Sequence, residues 1–201
     1  MANDAPQLVE LDSDERIWDR FFTVYPLVII GTEEEDGSYD LAPKHLAMPL
    51  SWEAHFGFVC TPRHRTYQNI QRTGEFCVTY PRPSQIVLAS LAASPRCEDD
   101  SKPIVDALPT LAAESVAGAF LEDGYAFLEC RCTRIYDDFG ENSLIAGEVI
   151  GARVAEDALK HADEDDQDLI AGSPLLAYLY PGRFAEISNT NRLPFPAGFK
   201  R

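Results

Sequence analysis

Two long β-patterned runs, residues 125–136 and 143–154, are joined through Asp137-Asp138-Phe139-Gly140, and this pairing constrains the chain more than any other feature. Aspartate and glycine favour a tight reversal, so the runs read as an antiparallel hairpin. A lone hairpin is marginal in water and needs further strands to bury its apolar face. The sequence supplies them. Residues 24–32 (VYPLVIIGT) and 39–48 flank Asp36-Gly37 as a second hairpin, and 54–60 (AHFGFVC) and 75–80 (EFCVTY) add two more strands. Gly57, inside a strand, signals a bend or a group packed against the backbone.

Helices are few and short. Ser13 is a good N-cap, followed by Asp14 and Glu15 and then by Ile17, Trp18, Phe21 and Phe22 at helical spacing. Thr66 caps a second predicted helix that stops at Gly74, and Ser84 caps a third over 85–92, before Ser94-Pro95. Residues 97–119, rich in Ala, Pro and Asp, read as a surface excursion. The stretch 156–168 carries seven acids against one lysine and reads as a solvated helix or loop. Residues 174–180 and 183–187 close the chain as a helix or strand pair, and 193–201 (LPFPAGFKR) is an extended tail. Many short strands with hairpin connections predict a mainly β antiparallel barrel or sandwich, in one domain over 1–201.

With 33 acidic and 17 basic residues, the net charge of −16 argues against nucleic acid and against an anionic membrane surface. Only 4 of the basic residues are lysine, which is compatible with solubility at high ionic strength. The N-terminus has no basic segment leading into an apolar run, and no stretch approaches the roughly 20 apolar residues of a membrane-spanning helix. The five cysteines, at 60, 77, 97, 130 and 132, are odd in number and read as free thiols in a reducing cytoplasm. Cys130 and Cys132 share a strand face but lack a second pair with metal-ligand spacing, so they read as core. His55 and His161 receive no role.

The acids are unevenly placed. Residues 41–97 contain two, Glu53 and Glu75, against six basic residues, a local charge of +4 within an acidic chain. Burial explains missing carboxylates but not a surplus of arginine, which points to an anionic ligand. The loop Thr61-Pro62-Arg63-His64-Arg65-Thr66 follows a strand, opens a helix and offers Arg, His and Thr donors beside free helical N–H groups.

YPLVIIGT followed by DGSYDLAPKHLAMPLS, the pattern R-x-x-T-x-x-N-I-x-x-T-G-E-F from Arg63 to Phe76, A-P-K at 42–44 and G-E-V at 147–149 together resemble the flavin reductase-like, FMN-binding split-barrel family, flavoredoxin-type branch, over about 21–187. The resemblance implies a six-stranded antiparallel split barrel of Greek-key type, a homodimer, and FMN held non-covalently at or near the dimer interface. It places residues 42–50 along the isoalloxazine ring, with backbone N–H groups bonding its polar edge. Lys44 and His45 would reach the ribityl chain or phosphate, Leu46 and Ala47 would follow the ring, and Met48 and Pro49 would pack near it. Thr61, Arg63, His64 and Thr66 would meet the phosphate, with Arg65 sharing that role or facing solvent, and Ser94 and Arg96 approaching the same site. Trp18, Phe21, Phe22 and Tyr25 read as core, with Tyr25-Pro26 at the edge of the flavin as the alternative. Many relatives have histidine near Asn142, on the nicotinamide side; an amide cannot carry a proton at neutral pH.

The resemblance implies an NAD(P)H-dependent FMN reductase or a flavoredoxin-like carrier. Two other readings stay open at this point: a non-enzymatic flavin-binding or sensor domain, and a thiol hydrolase or transferase using Cys60 with His64 or His45.

Overall fold

A computed structural model describes residues 7–162, 165–196 and 198. Its strands, in chain order, are β1 (Thr23–Pro26), β2 (Val28–Glu33), β3 (Tyr39–Lys44), β4 (Ala47–Pro49), β5 (His55–Cys60), β6 (Glu75–Tyr80), β7 (Thr110–Ala112), β8 (Ala119–Leu121), β9 (Ala126–Phe139), β10 (Asn142–Val154), β11 (Leu175–Tyr180) and β12 (Arg183–Ile187). Three short α-helices accompany them: α1 (Arg65–Thr73), α2 (Ile86–Leu91) and α3 (Asp166–Gly172).

The predicted hairpin of 125–136 and 143–154 is the β9–β10 pair, the longest in the molecule. It lies at the centre of a curled, all-antiparallel sheet of order β3-β2-β6-β9-β10-β5-β4. This is the split barrel, with seven strands in place of the expected six. β1, β11 and β12 form a second sheet, and β7 and β8 a small ribbon.

Two predicted strands are broken in two. The run 24–32 splits at Leu27, so that β1 pairs with β11 and β2 with β3 and β6. The run 39–48 splits at His45-Leu46, where the chain leaves β2 and re-enters the sheet beside β5. The unbroken apolar character of 28–32 is explained by burial on both faces of the sheet. Val28 and Ile30 join a core with Phe56, Phe58, Phe76 and Ile145 inside the barrel, whereas Ile29 joins Leu41, Ala89, Leu108 and Leu121 outside it.

The outer core corrects the reading of 97–119 as a surface excursion. That segment carries a 3₁₀ turn (Pro103–Ala107) and β7, and leads into β8, where Ala119, Phe120 and Leu121 are fully buried. A Cβ at Gly31 would lie 1.8 Å from the Ala119 carbonyl oxygen, so the strand must be bare there for the ribbon to cross it. Gly57 meets its second expectation: Leu50 packs on it, with a methyl 2.7 Å from where a Cβ would be. The carboxylates of Glu75 and Glu129 accept the amides of Ala117 (2.7 Å) and Ser115 (2.5 Å), fastening the ribbon's turn to the sheet.

Elsewhere the differences are local. The helix expected after Ser13 is only a 3₁₀ turn (Ile17–Arg20), with Trp18, Phe21 and Phe22 exposed, and among the described residues it buries no side chain that would hold a longer helix in place. The third predicted helix starts as a 3₁₀ turn (Pro83–Gln85) before α2. The final pair, left open between helix and strand, is β11–β12. Of the acidic run, 156–158 is a 3₁₀ turn and α3 begins at Asp166; residues 163 and 164 lie outside the described residues, as does part of the tail.

Candidate anion-binding site

Three chain segments meet at one end of the barrel. β3 delivers Lys44 at its last position, opposite Val28. β5 ends at Cys60, and residues 61–64 turn into α1, the His64 amide donating to the Thr61 carbonyl at 3.0 Å. His64, not Thr66, occupies the cap position, and its extended backbone places Arg65 and Thr66 in the first turn, where helical amides lack intrahelical acceptors. The end of α2 and the residues after it, 92–96, complete the rim. Between them lies a pocket of about 300 Å³. Seven residues named from the sequence line it: Lys44, Arg63, His64, Arg65, Thr66, Ser94 and Arg96.

Two further residues shape the pocket and were not anticipated. Asp40, on β3 and 3% exposed, accepts from Thr66 Oγ1 (3.1 Å) and from Lys102 Nζ (3.0 Å), and pairs with Arg96 (3.3 Å). Thr66 is thereby committed to a protein carboxylate. Lys102 also donates to the Leu41 carbonyl at 2.8 Å. Arg96 additionally pairs with Glu34, and Arg65 pairs with Asp100 and, at 3.7 Å, with Glu34. The basic surplus of 41–97 is therefore partly met by acids from just outside that segment.

Lys44 differs from these. Among the described residues no carboxylate pairs with it; its Nζ lies 3.5 Å from His64 Nδ1. Burial, Lys44 and Arg63 push His64 below the ordinary histidine range, so it is neutral at pH 7. Cys60 Sγ is 4.0 Å from the same nitrogen and 3.7 Å from the Thr61 carbonyl oxygen. Burial raises its thiol, with Lys44 opposing, and a buried thiol held up in this way is a poor nucleophile. Arg63 reaches outward to Glu141 at 2.9 Å, both side chains exposed. This ion pair stands between the pocket and a neighbouring one of about 450 Å³, lined by Thr61, Asp137, Asn142 and Ser143 among others.

The remaining predicted residues lie elsewhere. The strand break after Lys44 turns His45 away into an aromatic cluster, 4.7–5.6 Å between its ring centroid and those of Tyr25, Tyr178 and Tyr180. Burial and then Lys44 push its pKa down. Ala47 is buried, while Leu46, Met48 and Pro49 are exposed along the sheet edge formed by β4, outside the pocket lining. Nearby Trp52 is 93% exposed. Tyr25 touches His45 rather than the pocket.

The fold recurs in proteins of known structure. The fold is similar to that of nitrilotriacetate monooxygenase component B from Bacillus cereus (TM-score 0.79, 14% identity, 94% of this chain and 100% of that one). It is also similar to flavoredoxin from Methanosarcina acetivorans (TM-score 0.76, 16% identity, 96% and 98%). In sequence, the chain is 27% identical over 157 residues to an uncharacterised protein of Methanothermobacter thermautotrophicus, covering 75% of this chain and 73% of that one. Residues 20–188 match the flavin reductase like domain family. The chain belongs to that family and is a flavoprotein of the split-barrel fold.

Proposed function

We propose that the chain binds FMN non-covalently, with the phosphate between Lys44 and Arg96, and acts as an NAD(P)H-dependent flavin reductase or flavoredoxin-like oxidoreductase. One observation supports this above the others: five basic side chains, drawn from β3, α1 and two loops, converge on a single pocket in an acidic protein. The donor set suits a phosphate, since Lys44 is paired with no carboxylate among the described residues, the first turn of α1 supplies amides, and His64 supplies a ring nitrogen. The bound flavin would supply two-electron and one-electron redox chemistry. The protein's part is positioning and exclusion of water. Lys44 and Arg63 would draw the phosphate end, while Arg65 and Arg96, already paired with carboxylates, would shape the wall against which it rests. The segment 46–50, exposed at all but Ala47, would face the ring, and β4 with Met48 and Trp52 exposed beside it would be covered by a second copy in a homodimer.

Asn142, exposed on the rim of the adjoining pocket, favours a second version of this reading. An amide can hold a nicotinamide by hydrogen bonds but can exchange no proton with it at pH 7, which suits an electron carrier or sensor supplied by another reductant.

The test is to titrate the purified protein with FMN by visible absorbance and calorimetry, then to add NADH or NADPH. Saturable one-to-one binding with bleaching of the flavin near 450 nm supports the reductase; binding without bleaching supports the carrier. A protein that is colourless as purified and takes up no FMN overturns both. Unchanged activity in Cys60→Ser would remove the thiol reading, which its buried thiol already disfavours.

A further inference from the structure

The anion pocket is bounded by carboxylates on two sides. One flank is a hollow of about 450 Å³ that shares Arg65, Arg96 and Lys102 with it, yet adds six acids: Glu34, Glu35, Asp36, Asp99, Asp100 and Asp106. The pocket itself is lined by one acid, Asp40, against five basic side chains. The opposite flank shares Arg63 and adds Asp137, Asp138 and Glu141. The lining charge thus changes sign twice within a short path, positive in the middle and negative on each side.

We infer that these acidic flanks make the site selective for a flavin ending in a single phosphate, and that they discriminate against FAD, whose pyrophosphate and adenosine must leave the pocket toward one flank or the other. This rests on the flavin reading above and assigns a role to residues that touch no part of FMN. A terminal phosphate ends the ligand where the positive lining ends. A second phosphate would carry its negative charge among exposed carboxylates, whose summed field disfavours it across solvent, an effect that salt weakens. Arg65, Arg96 and Lys102 cannot compensate freely, because Glu34, Asp40 and Asp100 already hold them. Glu35, Asp99 and Asp106 stand outside that ion-pair network, so their charge acts on the hollow without restraining the cations.

The experiment compares dissociation constants for FMN and FAD by calorimetry. The wild type is expected to bind FMN at least about tenfold more tightly than FAD, with the ratio shrinking between 0.05 and 0.5 M salt. The triple variant Glu35→Gln, Asp99→Asn, Asp106→Asn is expected to leave FMN affinity within about twofold and to tighten FAD about five- to tenfold if FAD leaves on that side. Asp138→Asn is the matching test of the other flank. Equal affinity for the two flavins in the wild type, a ratio insensitive to salt, or no gain in FAD affinity in either variant overturns the inference while leaving FMN binding intact. Failure to bind either flavin overturns the reading on which it rests.

Discussion

The two sides of the pocket use their cations in opposite ways. On the side of residues 94–102, Arg96 and Lys102 converge on buried Asp40 and are neutralised before any ligand arrives. On the other side, Lys44 lies beside His64 and the Cys60 thiol, and no carboxylate among the described residues pairs with it. Arg96 and Lys102 therefore belong to the architecture of the pocket, and Lys44 to its affinity. A charge count along the chain treats all of them alike, although a guanidinium with a resident carboxylate has far less to gain from an incoming phosphate.

This contrast is breakable by mutation. Removing the buried acceptor should have the largest effect: Asp40→Ala leaves Lys102 and Thr66 without their partner, and should lower unfolding free energy by about 3–5 kcal/mol in chemical denaturation. A loss below about 1 kcal/mol would show that the inner cations are solvated instead. Next, Lys44→Ala should weaken FMN binding by about 2 kcal/mol, near 30-fold, with a midpoint of unfolding close to wild type. Should Lys44→Ala destabilise the fold as much as Asp40→Ala does, the division of labour fails.

His64 sharpens the comparison through pH. Its folded-state pKa is depressed, so it is neutral in the free protein at pH 7 and takes up a proton only at lower pH. A phosphate beside it raises that pKa, so binding favours the protonated form. Affinity should therefore rise as pH falls through the bound-state pKa and level off below the free-state value, by about tenfold at most. His64→Gln should lack this component; an identical pH profile in the variant would assign the proton uptake elsewhere. The smallest effect belongs to Arg63, whose pair with Glu141 is exposed on both sides. Glu141→Gln should change stability by no more than about 0.5 kcal/mol and improve FMN affinity slightly, by freeing the guanidinium.

Regular strands were readable because alternation and turn residues coincide, as at Gly140 between β9 and β10 and in EFCVTY, which is β6 without adjustment. The strand breaks were not. Pro26, directly before the break at Leu27, is the one signal in VYPLVIIGT; the apolar pattern alone does not separate residues that pair with β11 from those that pair with β3, since both stretches are apolar and both are strands. The same blindness affected the site. Lys44 and His45 are neighbours in sequence, but the break between β3 and β4 sends one to the pocket and the other to a tyrosine cluster. Asp40 escapes a charge count over 41–97 because it lies one residue outside that window. Its signal is an acid between Tyr39 and Leu41 in a strand, a place that in a folded protein needs resident cations. Lys102 lay in the segment least legible from composition, and its rarity, as one of four lysines, was the only hint.

The stretch from Arg96 to Lys102 contains no strand or α-helix, yet both of its ends contribute to the pocket and its middle supplies Asp99 and Asp100 to the acidic flank. Ligand preference in this molecule is consequently separable from barrel stability along much of that loop. Residues inserted, deleted or exchanged between its two anchoring cations would retune what the rim admits while the seven-stranded sheet stays as it is, which makes this short turn the natural place for selection to act when the fold is recruited to a new cofactor.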